Sequence, residues 1–235
     1  MFRKASIILP LIFSSVAYAN EPLLDKFFLG VQGGASFSIQ SSLDVVTGPN
    51  TVTDWDPAPE GYNDNEGDAA VWGGSVGYRV NPNFLTELEV TTRNDYEYEK
   101  VQTGAYPKTR HFKLNNTSVM AVGTVQSNYS RWFDPFLRVG LGVAFNEVTD
   151  FHSTHADGSV SAAMEDNTVS SFAFEVGGGL NFHATHNILL SLGYRYFNGG
   201  EFESDNKLKS PAMDIKPWEG YLRANEVYLA FNYFL

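Results

Sequence analysis

Along seven stretches of this chain nearly every second residue is apolar, and a period of two rather than 3.6 commits them to β-strands with two unlike faces. Residues 27–39 carry Phe27, Leu29, Val31, Ala35, Phe37 and Ile39 on one side and Gly30, Gln32, Gly34, Ser36 and Ser38 on the other. In 70–80, Trp72, Val76, Tyr78 and Val80 oppose Gly73, Ser75, Gly77 and Arg79; in 86–98, Leu88, Val90, Tyr96 and Tyr98 oppose Glu87, Glu89, Arg93 and Glu97. In 136–146, Leu137, Val139, Leu141, Val143 and Phe145 oppose Arg138, Gly140, Gly142 and Asn146. In 171–182, Phe172, Phe174, Val176, Leu180 and Phe182 oppose Ser171, Glu175, Gly177 and Asn181. In 188–196, Ile188, Leu190, Leu192, Tyr194 and Tyr196 oppose Ser191, Gly193 and Arg195. In 226–235, Val227, Leu229, Phe231, Tyr233 and Leu235 oppose Glu226, Ala230 and Asn232. An eighth candidate, 114–129, is less clean: Val119, Ala121, Val125 and Tyr129 share a face, but Met120 and Val122 lie on the other.

The links between these strands alternate in length. Short turns fall at Asn81-Pro82-Asn83, Ser130 to Asp134 and Ala184 to Asn187, and long polar links at about 41–69, 99–112, 147–169 and 198–223. Short turns at one end and long loops at the other are the build of a transmembrane barrel, with both termini on the short-turn, periplasmic side. The expected fold is therefore all-β, an eight-stranded antiparallel up-and-down transmembrane barrel. In a soluble lipocalin-like carrier the apolar face would point inward. Here the polar face is rich in glycine and serine, which suits a narrow interior. The apolar face carries rings suited to the lipid–water interfaces: Trp72, Tyr78, Tyr96, Tyr98, Tyr194, Tyr196 and Tyr233. Closure also removes the unpaired strand edges that lipid does not tolerate.

The first residues read as an export signal. Arg3 and Lys4 precede an apolar run from Ile7 to Phe13, and Ala17-Tyr18-Ala19 supplies the small residues of a cleavage site. Residues 1–19 are expected to be removed, leaving 20–235 as the barrel. The run is too short to span about 30 Å of hydrocarbon. The chain has no cysteine, so an exported domain must be held by packing, lipid and backbone pairing. The formal net charge is −11, which argues against a nucleic-acid partner and against holding anionic lipid by net charge.

Two kinds of segment resemble a known family. Val227-Tyr-Leu-Ala-Phe-Asn-Tyr-Phe-Leu235 resembles the terminal-strand signal of outer-membrane barrels, carried by Val227, Leu229, Phe231, Tyr233 and Leu235. Pro135–Ala144 and Leu190–Tyr196 look like the fifth and seventh strands of the opacity-type and OmpA/OmpX-like surface barrels. The resemblance runs along the whole mature chain as a shared strand pattern more than a motif. It implies the outer membrane of a Gram-negative bacterium, assembly by the barrel-assembly machinery, contact with outer-membrane lipid and lipopolysaccharide, and a host or envelope surface ligand. A monomer without a cofactor is expected. The pattern departs from the family in ending on Leu235, with Phe234 on the lumen face, and no peptidoglycan-binding domain follows the last strand.

Candidate chemistry is concentrated on the polar face, where Arg79, Glu87, Glu89, Arg93, Arg138, Glu175, Arg195 and Glu226 would share a narrow lumen. Such charges must pair, because isolated buried charges are costly. They form either a structural plug, the favoured reading, or a gate, with Arg138, Glu89, Glu175 and Arg195 at the centre. The first loop is acidic (Asp44, Asp54, Asp56, Glu60, Asp64, Glu66 and Asp68), and Asp64-x-Glu66-x-Asp68 could chelate a hard cation, but it lacks the EF-hand spacing and reads as a solvated loop with no metal. The second loop is basic, with Lys100, Lys108, Arg110, His111 and Lys113. Phe151-His-Ser-Thr-His155 invites a zinc or hydrolase reading, yet it falls in a loop with no G-x-S-x-G around it, so no catalytic residue is assigned. Gly177-Gly-Gly179 is not a phosphate loop and reads as relief of crowding in a strand. The expected role is a non-enzymatic surface protein of structural or adhesive type. A narrow porin is the alternative, and a lipid-modifying enzyme the last.

Overall fold

The computed structural model describes residues 26–39, 44–45, 67–102, 108–127, 133–155, 157–209, 213–214 and 217–235. The export segment 1–19, most of the acidic first loop, and Tyr129 to Arg131 lie outside the described residues. Eight long strands form the ring: β1 Phe27–Ser38, β2 Asp68–Asn81, β3 Phe84–Gln102, β4 Lys108–Gln126, β5 Phe133–His155, β6 Asn167–His183, β7 Ile188–Glu203 and β8 Trp218–Phe234. Each pairs antiparallel with its neighbours in chain order. The ring closes by β1 on β8, from Phe28 opposite Phe234 to Ser38 opposite Ala224. Among the described residues no helix is long and apolar enough to cross a membrane.

Alternation delivers the expected sidedness in the lower part of the ring. Leu29, Val31, Leu88, Val90, Leu137, Val139, Leu141, Phe172, Val176, Leu192, Val227 and Leu229 all point outward, Leu137 being 71% exposed and Leu229 65%. A continuous apolar belt of this size would be strongly unfavourable in water and matches hydrocarbon. Trp72, Tyr194 and Tyr233 are outward and exposed, and Tyr78 and Tyr196 outward and half-buried. The fourth strand starts earlier than read, at Lys108, and keeps the expected sidedness, with Met120 and Val122 fully buried inside.

Strand pairing continues into segments that read as links. Gln102 pairs with Lys108 across a short connection, β5 runs to His155, and Val160–Ala163 folds back on it. In this upper extension the sidedness reverses. Tyr96 and Tyr98 are the correction: both leave the outer face, Tyr96 being fully buried. The cause is a bulge. Arg93 pairs with Asn116 and Tyr96 with Leu114, so Asn94 and Asp95 together face Asn115. Asp95 takes φ 63°, and its N–H donates to Asn115 Oδ1 at 2.9 Å. One extra residue sends every later side chain to the opposite face. Tyr96, Tyr98, Phe112, Leu114, Val148, Phe151, Met164, Phe202 and Leu222 then pack together inside, with Glu97, Asp150, Glu201 and Glu219 exposed outside.

Candidate functional site in the barrel lumen

The lumen is filled in layers from the short-turn end upward. Phe28, Leu85, Leu189 and Phe234 form an apolar floor. Phe234, the departure noted in the terminal strand, is thus an interior residue packed 5.1 Å from the ring of Phe28. Arg79 lies at this level, its guanidinium 3.8 Å from the centre of the Phe234 ring. Beside the floor Asn181 donates to Gln126 at 2.6 Å and accepts from Ser191 at 2.7 Å. Between floor and charged layer is a cavity of about 40 Å³, reached by Glu87, Glu89 and Arg138.

Above it, five strands deliver three arginines and three glutamates to one point. Arg138 of β5 bridges Glu89 of β3 at 2.7 Å and Glu175 of β6 at 2.6 Å. Arg195 of β7 reaches Glu89 at 2.8 Å and Glu175 at 3.3 Å. Glu226 of β8 is held between Arg93 and Arg195, each donating through Nε. Arg93 also donates to Asn116 Oδ1 and Ser118 Oγ, both at 2.9 Å, and stacks on Phe197 at 3.5 Å. The side chains are at most 5% exposed, and the charges of the six balance. Glu87 is an outlying fourth carboxylate, 4.0 Å from Arg138 and facing the cavity.

Two glycines make the room. A Cβ at Gly193 would lie 2.3 Å from Cζ of Tyr228, the ring whose hydroxyl accepts from Arg138 at 3.2 Å. A Cβ at Gly177 would lie 2.7 Å from Cβ of Arg195. The charged layer is further buttressed by Thr91, which donates to Glu89 at 2.6 Å and accepts from Gln32 at 2.9 Å, and by Ser36, which donates to Glu226 at 3.0 Å and hydrogen-bonds Tyr96. In a low-dielectric interior such saturation is what lets charges stay buried.

Higher still, Asn116 donates to Asn146 at 2.7 Å, and Asn146 donates to the carbonyls of Gly199 and Glu201. The apolar cap of Tyr96, Phe112, Phe151 and Phe202 closes the stack, with Phe112 and Phe202 rings 6.2 Å apart.

The eight sequence candidates therefore divide. Arg93, Arg138, Arg195, Glu89, Glu175 and Glu226 converge, Glu87 borders them, and Arg79 sits at the floor. Sequence reasoning missed Tyr228, Asn116 and the buttressing Thr91 and Ser36. Tyr228 was legible in principle, because it is two residues from Glu226 on the same strand face. Phe151-His-Ser-Thr-His155, read as loop, is strand: Ser153 is buried toward the inside, and His152 and His155, three apart, fall on opposite faces.

Comparison with known proteins agrees with this architecture. Residues 6–233 match the outer membrane protein beta-barrel domain family. No curated protein matches the chain. Among solved structures it is similar to Neisserial surface protein A (15% identity, 89% of this chain and 97% of that one, TM-score 0.52). It is also similar to the outer membrane protein OprG of Pseudomonas aeruginosa (12% identity, 89% and 97%, TM-score 0.50). At these identities the likeness speaks for the fold alone. With a family match across nearly its whole length and a closed antiparallel ring of eight strands, the chain belongs to the outer membrane β-barrel proteins.

Proposed function

We propose that this protein is a non-conducting surface barrel of structural or adhesive type, whose function resides in the polar extension above the lipid belt. The observation that carries the reading is the filled lumen. A solute would have to displace the Phe28–Phe234 floor, the six-residue charge cluster and the aromatic cap in turn. An eight-stranded ring has room for side chains and little else. The extension presents charged outer walls, acidic at Glu201 and Glu219 and mixed at Glu97 and Lys113, to lipopolysaccharide, envelope proteins or a host surface. The reading is non-enzymatic: Ser153 faces the packed interior, where no substrate reaches its hydroxyl.

The test is planar-bilayer conductance of the refolded chain beside Arg138→Ala and Glu89→Ala, with folding checked in the same samples. The expected result is a silent wild type. Reproducible small steps in the wild type, altered by either substitution, would replace this reading by the narrow porin.

A further inference from the structure

The reversal of sidedness on β5 has brought a histidine pair to the outer wall of the extension. His152 does not share a face with His155, its partner in sequence; its neighbour is His111 of β4, directly opposite it in the ladder. Glu99 of β3 stands opposite His111 in the adjacent ladder, so Glu99, His111 and His152 form one row across three strands. The two imidazoles are stacked, centroids 5.1 Å apart and planes inclined by 21°. Both are part-exposed, at 37% and 29%.

The Nδ1 of each ring faces an oxygen, by a hydrogen bond in His152 and by a longer ionic contact in His111. His152 Nδ1 is 2.9 Å from the carbonyl oxygen of Asp150, which can only accept, so Nδ1 carries the proton. The Asp150 carboxylate is 3.5 Å from that same nitrogen. His111 Nδ1 faces the Glu99 carboxylate at 3.9 Å. Protonation of Nδ1 leaves the Nε2 lone pair of His152 available, the Glu99 carboxylate favours the same tautomer in His111, and among the described residues neither Nε2 has a hydrogen-bond partner. A ring whose Nδ1–H is held by a carbonyl or carboxylate and whose Nε2 is bare is the arrangement in which histidine binds a metal. Asp150, whose carbonyl accepts from the ring, sits in the β5 bulge at φ 53°.

We propose that His111 and His152 form a two-imidazole clamp for a borderline transition-metal ion of the zinc class, oriented by Glu99 and Asp150. Among the described residues no three metal-binding side chains already converge, so water completes the coordination. Two imidazoles on one ion at about 2.0–2.1 Å must turn from their stacked, near-parallel setting so that both Nε2 lone pairs converge, a rotation open to part-exposed side chains on a strand surface. Imidazole donors select zinc, copper or nickel over magnesium or calcium.

The experiment is calorimetric titration of the refolded full-length chain in detergent with zinc chloride, alongside His111→Gln, His152→Gln and, as a control in the exposed turn at the opposite end of the barrel, His186→Gln. One zinc per chain is expected, with affinity falling about tenfold or more in each of the first two variants, as for loss of a ligand or its orienting group, and unchanged in His186→Gln. Glu99→Gln should weaken binding while leaving the stoichiometry at one. Absence of binding at millimolar zinc overturns the proposal, and so does affinity that survives His111→Gln or His152→Gln. Magnesium chloride giving the same isotherm would also overturn it, since two imidazoles would not then be the ligands.

Discussion

The lower ring and its upper extension are built from the same strands and the same alternation, yet they are inside-out with respect to each other. Below, Leu88 and Val90 of β3 face outward and Glu89 and Arg93 inward; above, Tyr96 and Tyr98 face inward and Glu97 and Glu99 outward. The medium is the difference. Against hydrocarbon an apolar exterior is at home and polar groups must satisfy one another inside. Against water the ordinary hydrophobic arrangement returns. The chain makes the change in two ways. β3, β5 and β7 insert bulge residues, with positive φ at Asp95, Asp150 and Gly200, so the alternation is rephased by backbone geometry. β4 and β8 keep their inner face throughout and change residue type instead: Phe112 and Leu114 inside above, Val119, Ala121 and Val125 outside below.

The sharpest test of the lower interior is Arg195→Leu. It leaves Glu89, Glu175 and Glu226 short of a cation in a dry site and should cost about 3–5 kcal/mol, measured by urea unfolding in phospholipid vesicles. A neutral or stabilising result would mean the charged layer is dispensable packing.

The exteriors are compared on one strand. Leu88→Arg places a charge in the lipid belt and should cost about 2–4 kcal/mol. Glu97→Gln, nine residues on and also outward, removes only the exposed pair with Lys113 at 3.1 Å and should cost no more than about 1 kcal/mol. Equal costs would place both residues in the same medium and break the comparison.

The smallest effect is a pH dependence confined to the extension. Burial first, then the neighbouring Glu219 and Glu201, hold the Glu203 carboxyl above its ordinary value. The folded state therefore keeps this proton more tightly than the unfolded chain does, and stability falls as pH rises through the carboxylate range toward the raised folded value. Glu203→Gln should flatten that decline by a few tenths of a kcal/mol, discounted for its exposure to solvent. Acid unfolding curves of the two proteins that superimpose would remove Glu203 from the account.

Much of this architecture was readable from residue order. Strand period is a local property, so alternation located the eight strands and which face of the lower ring each residue shares. Parity alone placed Arg93, Arg138, Arg195, Glu89, Glu175 and Glu226 inside, and their need for partners followed from the cost of burying charge. Parity could not place Tyr96 and Tyr98. Leu88, Val90, Tyr96 and Tyr98 all fall on even positions, with only Thr92 and Asn94 between them, and a single residue in the left-handed region at Asp95 inverts the meaning of that parity. Nor could sequence pair His111 with His152, 41 positions apart, because register depends on how two bulged strands slide past each other. By itself the sequence determined the period, the strands and the charge that the lower lumen must neutralise. Only the tertiary structure decided where the faces exchange and which side chains meet across the ladder, because a bulge and a register are settled by neighbouring strands and by the medium outside, neither of which is local to the chain.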